Sequence, residues 1–320
     1  MPLISVIIAT KGRPTLLMRA IASVLDQTVN DLEVIVVMDG EDSETITRLT
    51  PITDQRLRVY VNPVSLGSGP TRNIGAGHAT GEWIAFLDDD DEWLPTKIER
   101  QMALPIPPNG LVLLSCRSAF VTPNGISVRP RNIYDNKRPF DEWLFDRQQL
   151  FGGHSFIQTS SLMIPRALFR KISFPSDNQH DDWEFVLIAI KRFDAVLLTA
   201  PEILVRHYAE ENRPSLSASS RLESSLRWAR GMRGLITERA FSGFCLTVIA
   251  RQAKRYGGWR EFFLLLDRAF NEGQPTILQL VIFLTVWGTP QWLHDTLRRF
   301  RPRALLRVDS AASTSRPVAS

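Results

Sequence analysis

The sequence predicts an α/β fold, a Rossmann-like and mostly parallel central sheet flanked by helices, with a helical C-terminal extension. Three observations predict it. Short β-branched apolar runs alternate with helix-spaced segments through the first hundred or so residues. Polar, glycine-bearing or acidic residues follow those runs, at the sheet edge where open α/β folds bind ligands. Beyond about residue 215 the texture changes to helical segments rich in Arg, Leu and Ser.

Residues 3–9 are apolar and β-branched and read as a strand buried on both faces. Lys11-Gly12-Arg13-Pro14 is a turn, and residues 15–26 carry Leu16, Leu17, Ala20, Ile21, Val24 and Leu25 at helical spacing. Residues 32–38 form a second strand stopped by Asp39-Gly40, and 57–61 a third. Residues 70–79 read as a helix of small side chains, and 84–87 as a fourth strand running into four aspartates. Pro95 suits the first turn of a new helix. From 110 to 210 the pattern is mixed, with strands at 111–116, 160–164 and 203–207 and a helix opening at His180-Asp181-Asp182-Trp183. Helices are expected over 221–239, 242–256 and 259–271, then an almost wholly apolar run at 276–287. This divides the chain into a ligand-binding and catalytic unit at 1–212, a helical region at 213–300 and a basic, disordered tail at 301–320.

The chain has 320 residues, 44% hydrophobic and 22% charged, which are globular values. A net charge of +4 is too small to point to a nucleic-acid partner. Two cysteines, Cys116 and Cys245, make neither a disulfide framework nor a metal knuckle. The N-terminus lacks a basic n-region and a cleavage site, so a cytoplasmic protein is expected.

Asp88-Asp89-Asp90-Asp91 is the most informative segment. Crowded carboxylates raise one another's pKa and destabilise the fold, and a divalent cation relieves that repulsion. Carboxylate oxygens are hard ligands suited to Mg²⁺ or Mn²⁺. A cation held there would act as a Lewis acid on a diphosphate leaving group. Alternation along an extended segment lets Asp88 and Asp90 point together, with Asp91 close by. A solvated acidic turn capping the next helix is the plainer reading, but four aspartates exceed what a cap needs. A phosphatase reading wants the acidic pair after the chain's first strand, and here it follows the fourth.

Several motifs in register resemble family 2 glycosyltransferases. They are Ser5-Val6-Ile7-Ile8-Ala9-Thr10, Ala22-Ser23-Val24-Leu25-Asp26-Gln27-Thr28, and the run from Leu32 to Asp39-Gly40. Thr71-Arg72-Asn73-Ile74-Gly75, the stretch from Thr80-Gly81 to Asp91, Thr159-Ser160-Ser161-Leu162-Met163-Ile164-Pro165 and Asp181-Asp182-Trp183-Glu184 continue them. The match covers roughly residues 3–210. The resemblance implies a GT-A fold, a nucleotide-diphosphate sugar donor (usually a uridine nucleotide), a divalent metal and inversion at the transferred carbon. It further implies that Asp39 reads the base, that Thr10 and Arg13 line it, and that Arg72 belongs to the nucleotide pocket. Asp90 would be the direct metal ligand, Asp88 a ribose or water-mediated contact, and Asp182 the catalytic base. Two departures stand out: Met38 replaces the first of two aspartates common after the second strand, and Lys11-Gly12 follows Thr10.

The remaining candidates come from the residues themselves. Asp182 starts an apolar helix beside Trp183, where desolvation would raise its pKa and suit it to general-base work, although a helix N-cap is its ordinary reading. His207, at a strand end, could ligate the metal or touch phosphate, with a satisfied structural histidine as the plainer alternative. Asp181, Trp183 and His154 are expected on the acceptor side, Trp183 by stacking on a sugar. Trp93 could also stack on a sugar, and core packing suits Trp83 better. Arg117, Arg129 and Arg131 could meet a charged acceptor, with solvated surface as the default. The apolar run at 277–287 is too short to span a bilayer. With Trp292 and arginines 298, 299, 301 and 303 it reads either as a peripheral contact with the inner membrane surface or as a helix packed on the core. The expected partners are a nucleotide-sugar donor and a saccharide or lipid-linked acceptor in cell-surface or exopolysaccharide assembly. A nucleotidyltransferase would need a fuller glycine-rich loop than Lys11-Gly12-Arg13, and the intact aspartates argue against a non-catalytic sugar-nucleotide-binding or membrane scaffold.

Overall fold

The structure is a computed structural model, and it describes residues 3–108, 110–123, 125–150, 155–176, 179–208 and 222–289. Among these, nine strands build one sheet: β1 (Ile4–Thr10), β2 (Leu32–Met38), β3 (Leu57–Val61), β4 (Trp83–Asp88), β5 (Asp91–Trp93), β6 (Val112–Thr122), β7 (Gly125–Arg129), β8 (Met163–Pro165) and β9 (Val196–Tyr208). The order is β3-β2-β1-β4-β8-β6-β9-β5, with β7 on β6. The first four strands are parallel. β8 runs antiparallel between β4 and β6, β6 and β9 are parallel, and β5 and β7 add antiparallel edges. The second half of the sheet is therefore mixed.

The apolar runs are continuous because helices cover both faces. Ile7, Ile35, Val37 and Phe86 enter one core, while Val6, Ile8, Val34, Val36 and Leu87 enter the other, which is the two-residue period of a strand. The helix Pro14–Leu25 buries Leu17, Ala20, Ile21 and Val24 in the second core. The helix Ser68–His78 closes on the first. A Cβ at Gly75 would stand 2.6 Å from Ile7 Cγ2, so glycine there lets the helix lie close to the sheet.

Several elements escaped the sequence pattern or outran it. The helix Ser43–Leu49 is capped by Asp42, whose side chain accepts from Glu44 N. β5 forms from the end of the acidic run, pairing Asp91 with His207 across to β9. β9 is longer than the expected 203–207 because it begins at Val196 and bulges near Pro201, where its register against β6 shifts.

The expected helix over 221–239 is two, Leu222–Gly231 and Glu238–Gly243, with Gly234 at φ +88° between them. A π-helical turn, Phe244–Val248, follows, then Ala250–Tyr256, Trp259–Asn271 and Ile277–Gly288. These helices share one core with the sheet's first face: Phe145, Phe185, Trp228, Phe244 and Phe283 are all buried in it. The helix Ile277–Gly288 packs Ile282, Phe283 and Val286 inward and leaves Ile277, Val281 and Leu284 82%, 41% and 56% exposed. On the neighbouring helix Trp259, Phe263 and Phe270 are also exposed, and Trp259 stacks on Trp287 where the two helices meet. No helix among the described residues is long and apolar enough to cross a membrane. His154, Trp292, the arginines after 297 and the 301–320 tail lie outside the described residues.

Candidate active site

The site lies at the C-terminal edge of β1, β2 and β4, where the chain leaves each strand in a turn. β4 ends at Asp88, and the chain bends through Asp89 and Asp90 into β5. One carboxylate oxygen from each of Asp88, Asp90 and Asp91 lies within 4.8 Å of the others. Three hard oxygen ligands so disposed fit a divalent cation.

Each acid in the run has its own partners. Asp89 accepts from Thr10 Oγ1 at 2.8 Å and from Arg13 at 3.2 Å, and its burial raises its pKa. Arg13 also reaches Asp90 at 3.0 Å. Asp91 is fully buried and accepts from Gln158 at 2.5 Å, Ser160 Oγ at 2.6 Å and His207 Nδ1 at 2.8 Å. Burial alone would depress His207, but the Asp91 hydrogen bond and the charges of Asp91, Asp90 and Asp88 outweigh it and raise its pKa. His207 thus meets the acidic corner through Asp91, and it is Asp91 that joins Asp88 and Asp90 in the ligand group. Thr10 and Arg13 likewise meet the corner through Asp89 and Asp90.

Asp39, at the end of β2, accepts from Leu66 N (2.6 Å), Gly67 N (3.1 Å), Ser65 Oγ (2.7 Å) and Thr71 Oγ1 (2.9 Å). Burial pushes its pKa up, but these four donors prevail and hold it below the ordinary value. They fill about the four lone-pair positions of a carboxylate, so Asp39 pins the turn at 65–67 to the start of the helix Ser68–His78.

Arg72 joins the two acidic motifs. Its guanidinium donates to Asp88 Oδ1 at 2.6 Å and to Asp181 Oδ2 at 2.7 Å, residues far apart in sequence, and lies 5.3 Å from the Phe174 ring centroid. Burial opposes its charge, yet Asp88 and Asp181 hold its pKa above the ordinary value. Asp181 and Asp182 form the first turn of the helix Asp181–Phe193. Asp182 Oδ1 accepts from its neighbour's amide, Trp183 N, at 2.7 Å. Burial first, and then the adjacent Asp181 charge, raise the Asp182 pKa well above the usual carboxylate value.

An aromatic cage fixes this turn. His180 stacks on Trp183 with centroids 4.9 Å apart and lies 4.6 Å from Trp228 and 5.5 Å from Phe244. Burial depresses the His180 pKa to about 4, so the ring is neutral, and its Nε2 lies 3.0 Å from Ser225 Oγ. Trp228 Nε1 donates to Glu184 at 2.8 Å. Trp183 is thus packed on one ring face rather than free on both. Trp93 is buried and donates to Ser160 O at 2.9 Å, with the Lys97 ammonium 3.7 Å from its ring centroid, so it packs the core. The sequence marks His180 only as the opening of this helix, and Trp228 and Phe244 carry no local signature of the cage.

Comparison with known proteins agrees with this geometry. The profile described as Glycosyl transferase family 2 matches residues 5–173. An uncharacterized glycosyltransferase of Haemophilus influenzae is 28% identical over 200 residues, 62% of this chain and 76% of the relative. A UDP-Glc:alpha-D-GlcNAc-diphosphoundecaprenol beta-1,3-glucosyltransferase of Escherichia coli is 31% identical over 138 residues, 42% of this chain and 54% of the relative. The structure superposes on Staphylococcus aureus TarS in complex with UDP-GlcNAc at a TM-score of 0.56, with 17% identity and 90% and 91% of the two chains covered. It also superposes on the mannosyltransferase PcManGT of Pyrobaculum calidifontis, in complex with GDP-Man and Mn²⁺, at 0.53, with 18% identity and 90% and 73% covered. The sheet, its acidic corner and the family profile over more than half the chain lead to one conclusion: this protein is a glycosyltransferase of GT-A fold and belongs to glycosyl transferase family 2.

Proposed function

We propose that the protein is an inverting glycosyltransferase that moves a sugar from a nucleotide-diphosphate donor, a UDP-sugar, to a lipid-linked saccharide at the cytoplasmic membrane face, in cell-surface or exopolysaccharide assembly. The observation that carries this reading is the Arg72 clamp. It ties Asp88 of the acidic corner to Asp181, next to a carboxylate, Asp182, whose pKa is raised well above its usual range. Leaving-group chemistry and base chemistry thereby share one site.

Mg²⁺ or Mn²⁺ at Asp88, Asp90 and Asp91 would supply positive charge to the departing diphosphate. The chain's own residues do the rest. Asp182 takes the proton of the acceptor hydroxyl as that oxygen bonds to the anomeric carbon. The bond from that carbon to the phosphate oxygen breaks, and its electron pair leaves with the diphosphate. Arg72 presents a fixed positive charge between the two events. Asp39 holds the 65–67 turn at the edge of the nucleotide pocket, so base recognition requires one of its four donors to yield. Asp181 and Trp183 line the acceptor side.

A membrane contact is supported by the exposed row Trp259, Phe263, Phe270, Ile277, Val281 and Leu284. Exposed Arg260 beside it, and arginines 298, 299, 301 and 303 further along the chain, match an anionic leaflet. The experiment is incubation with UDP- and GDP-sugars and Mn²⁺. Slow release of UDP from one UDP-sugar is expected. Neither release nor binding across the panel would overturn the reading.

A further inference from the structure

A cavity of about 250 Å³ opens on the Trp183 side of the catalytic turn, and apart from Trp183 the residues that line it have no part in the transfer chemistry above. Four arginines reach it from separate elements: Arg129 at the end of β7, Arg138 and Arg147 on either side of the helix Phe140–Phe145, and Arg251 in the helix Ala250–Tyr256. Thr247, in the π-helical turn, precedes Arg251 by four positions and lines the same wall. Among the lining residues the one carboxylate is Asp146, and it is already engaged by Arg239 at 2.8 Å, Gln279 at 2.8 Å and Gln148 at 2.9 Å.

Arg129 lies 4.9 Å from the Phe120 ring centroid and 5.9 Å from that of Phe156. Arg138 donates to the backbone oxygen of Asp146 at 3.3 Å. Arg147 has no ion pair among the described residues, and burial together with the charges of Arg251 and Arg129 lowers its pKa to about 10. Guanidiniums gathered in a partly dry cavity repel one another, and an anion that enters between them relieves the repulsion. The planar guanidinium fork matches the oxygens of a phosphate.

Place decides which phosphate. A donor diphosphate belongs with the cation at Asp88, Asp90 and Asp91. The cavity instead adjoins Trp183, the residue after the base, and Phe156, two residues before the Gln158 that holds Asp91.

We propose that this cavity is an acceptor subsite in which Arg129, Arg147 and Arg251 hold the phosphoryl or diphosphoryl group that links an acceptor sugar to its carrier. The proposal rests on the transfer reading above and names the chemistry of its acceptor.

Calorimetry in EDTA, which removes any cation from the acidic corner, tests it with two probes, inorganic pyrophosphate and geranyl diphosphate. Both should bind the full chain at one site. The double variant Arg147→Gln, Arg251→Gln should bind each about tenfold more weakly or worse. Arg147→Lys, which keeps the charge, should retain most of the affinity, and Asp90→Asn should change nothing. Mn²⁺-dependent UDP binding by the double variant reports that it is folded. Unchanged pyrophosphate affinity in the double variant, or loss in Asp90→Asn instead, overturns the subsite. Binding of inorganic pyrophosphate without geranyl diphosphate assigns the cavity to a free anion and overturns its acceptor role. UDP release from a nucleotide sugar without arginine-dependent pyrophosphate binding removes the subsite and leaves glycosyl transfer standing. Arginine-dependent binding in a chain that turns over no nucleotide sugar removes the transfer reading, and the acceptor role with it.

Discussion

At the acidic corner the carboxylates stand against donors: Asp88 against Arg72, Asp89 and Asp90 against Arg13, Asp91 against His207, Gln158 and Ser160. Beyond Trp183 the charge is reversed: the described residues that line the cavity include four arginines and one carboxylate, Asp146, which Arg239 pairs. The corner's carboxylates are four consecutive residues, at the end of β4 and the turn into β5, with partners drawn from as far along the chain as His207. The cavity is assembled from helix ends and a strand end scattered between 129 and 251. Asp182 sits between the two, raised in pKa by burial and by Asp181. The difference teaches that one catalytic turn can border both a strand-borne acidic cluster and an arginine cluster gathered from helix ends, and on the proposed mechanism the proton acceptor lies between them.

The largest effect is expected at the seam. Asp182→Asn should lower transfer by roughly a thousandfold while leaving UDP binding intact, measured as turnover and by calorimetry. Transfer at the wild-type rate would remove Asp182 from the mechanism. Its raised pKa adds a pH signature. The base acts as the carboxylate, so the wild-type rate should climb with pH through a limb lying above the ordinary aspartate range. Stability has the opposite sign: the folded state holds this proton more tightly than the unfolded chain. Ionisation therefore destabilises the wild type as pH rises from the ordinary aspartate value through the raised one. Asp182→Asn should accordingly have a higher urea midpoint than the wild type near neutral pH, with the gap closing toward pH 4, the neighbourhood of an unperturbed aspartate.

Next comes the acidic half. Asp90→Asn should weaken Mn²⁺-dependent UDP binding by about a hundredfold, since a cation contributes several kcal/mol to a phosphate contact. Metal-independent UDP binding of wild-type strength in this variant would take the cation out of the corner. The smallest effect tests whether the halves are separable. Trp228→Phe keeps the ring packing on His180 but removes the N–H donated to Glu184, and should cost about 1 kcal/mol in a urea titration. The acceptor KM should rise and the donor KM stay put. A parallel rise in both would mean that the helical region also supports the acidic corner.

Most of the acidic half is legible in the sequence. β1 to β4, the four aspartates, Asp39, Arg72 and the Asp181-Asp182 turn carry local signatures: β-branched runs, a polar residue at each strand end, acids opening an apolar helix. Several of their pairings carry none. The Asp91–His207 pair depends on β5 running antiparallel to β9, and the Arg72–Asp181 bridge on a helix seated close to the sheet by Gly75. The cationic half is legible only as separate arginines, and Arg129 reads as solvated surface until Arg147 and Arg251 are brought beside it. The His180 cage is hidden for the same reason, because Trp228 and Phe244 reach it only through the docking of the C-terminal helices.

The two outward rows of Trp, Phe, Ile, Val and Leu on the last described helices will govern how the protein behaves in the laboratory. Contiguous apolar surface of this kind promotes self-association in plain buffer. Concentrated samples should elute early and broadly from a sizing column and become monodisperse with a mild detergent. Replacing Phe263 and Leu284 with glutamate should have the same effect without detergent.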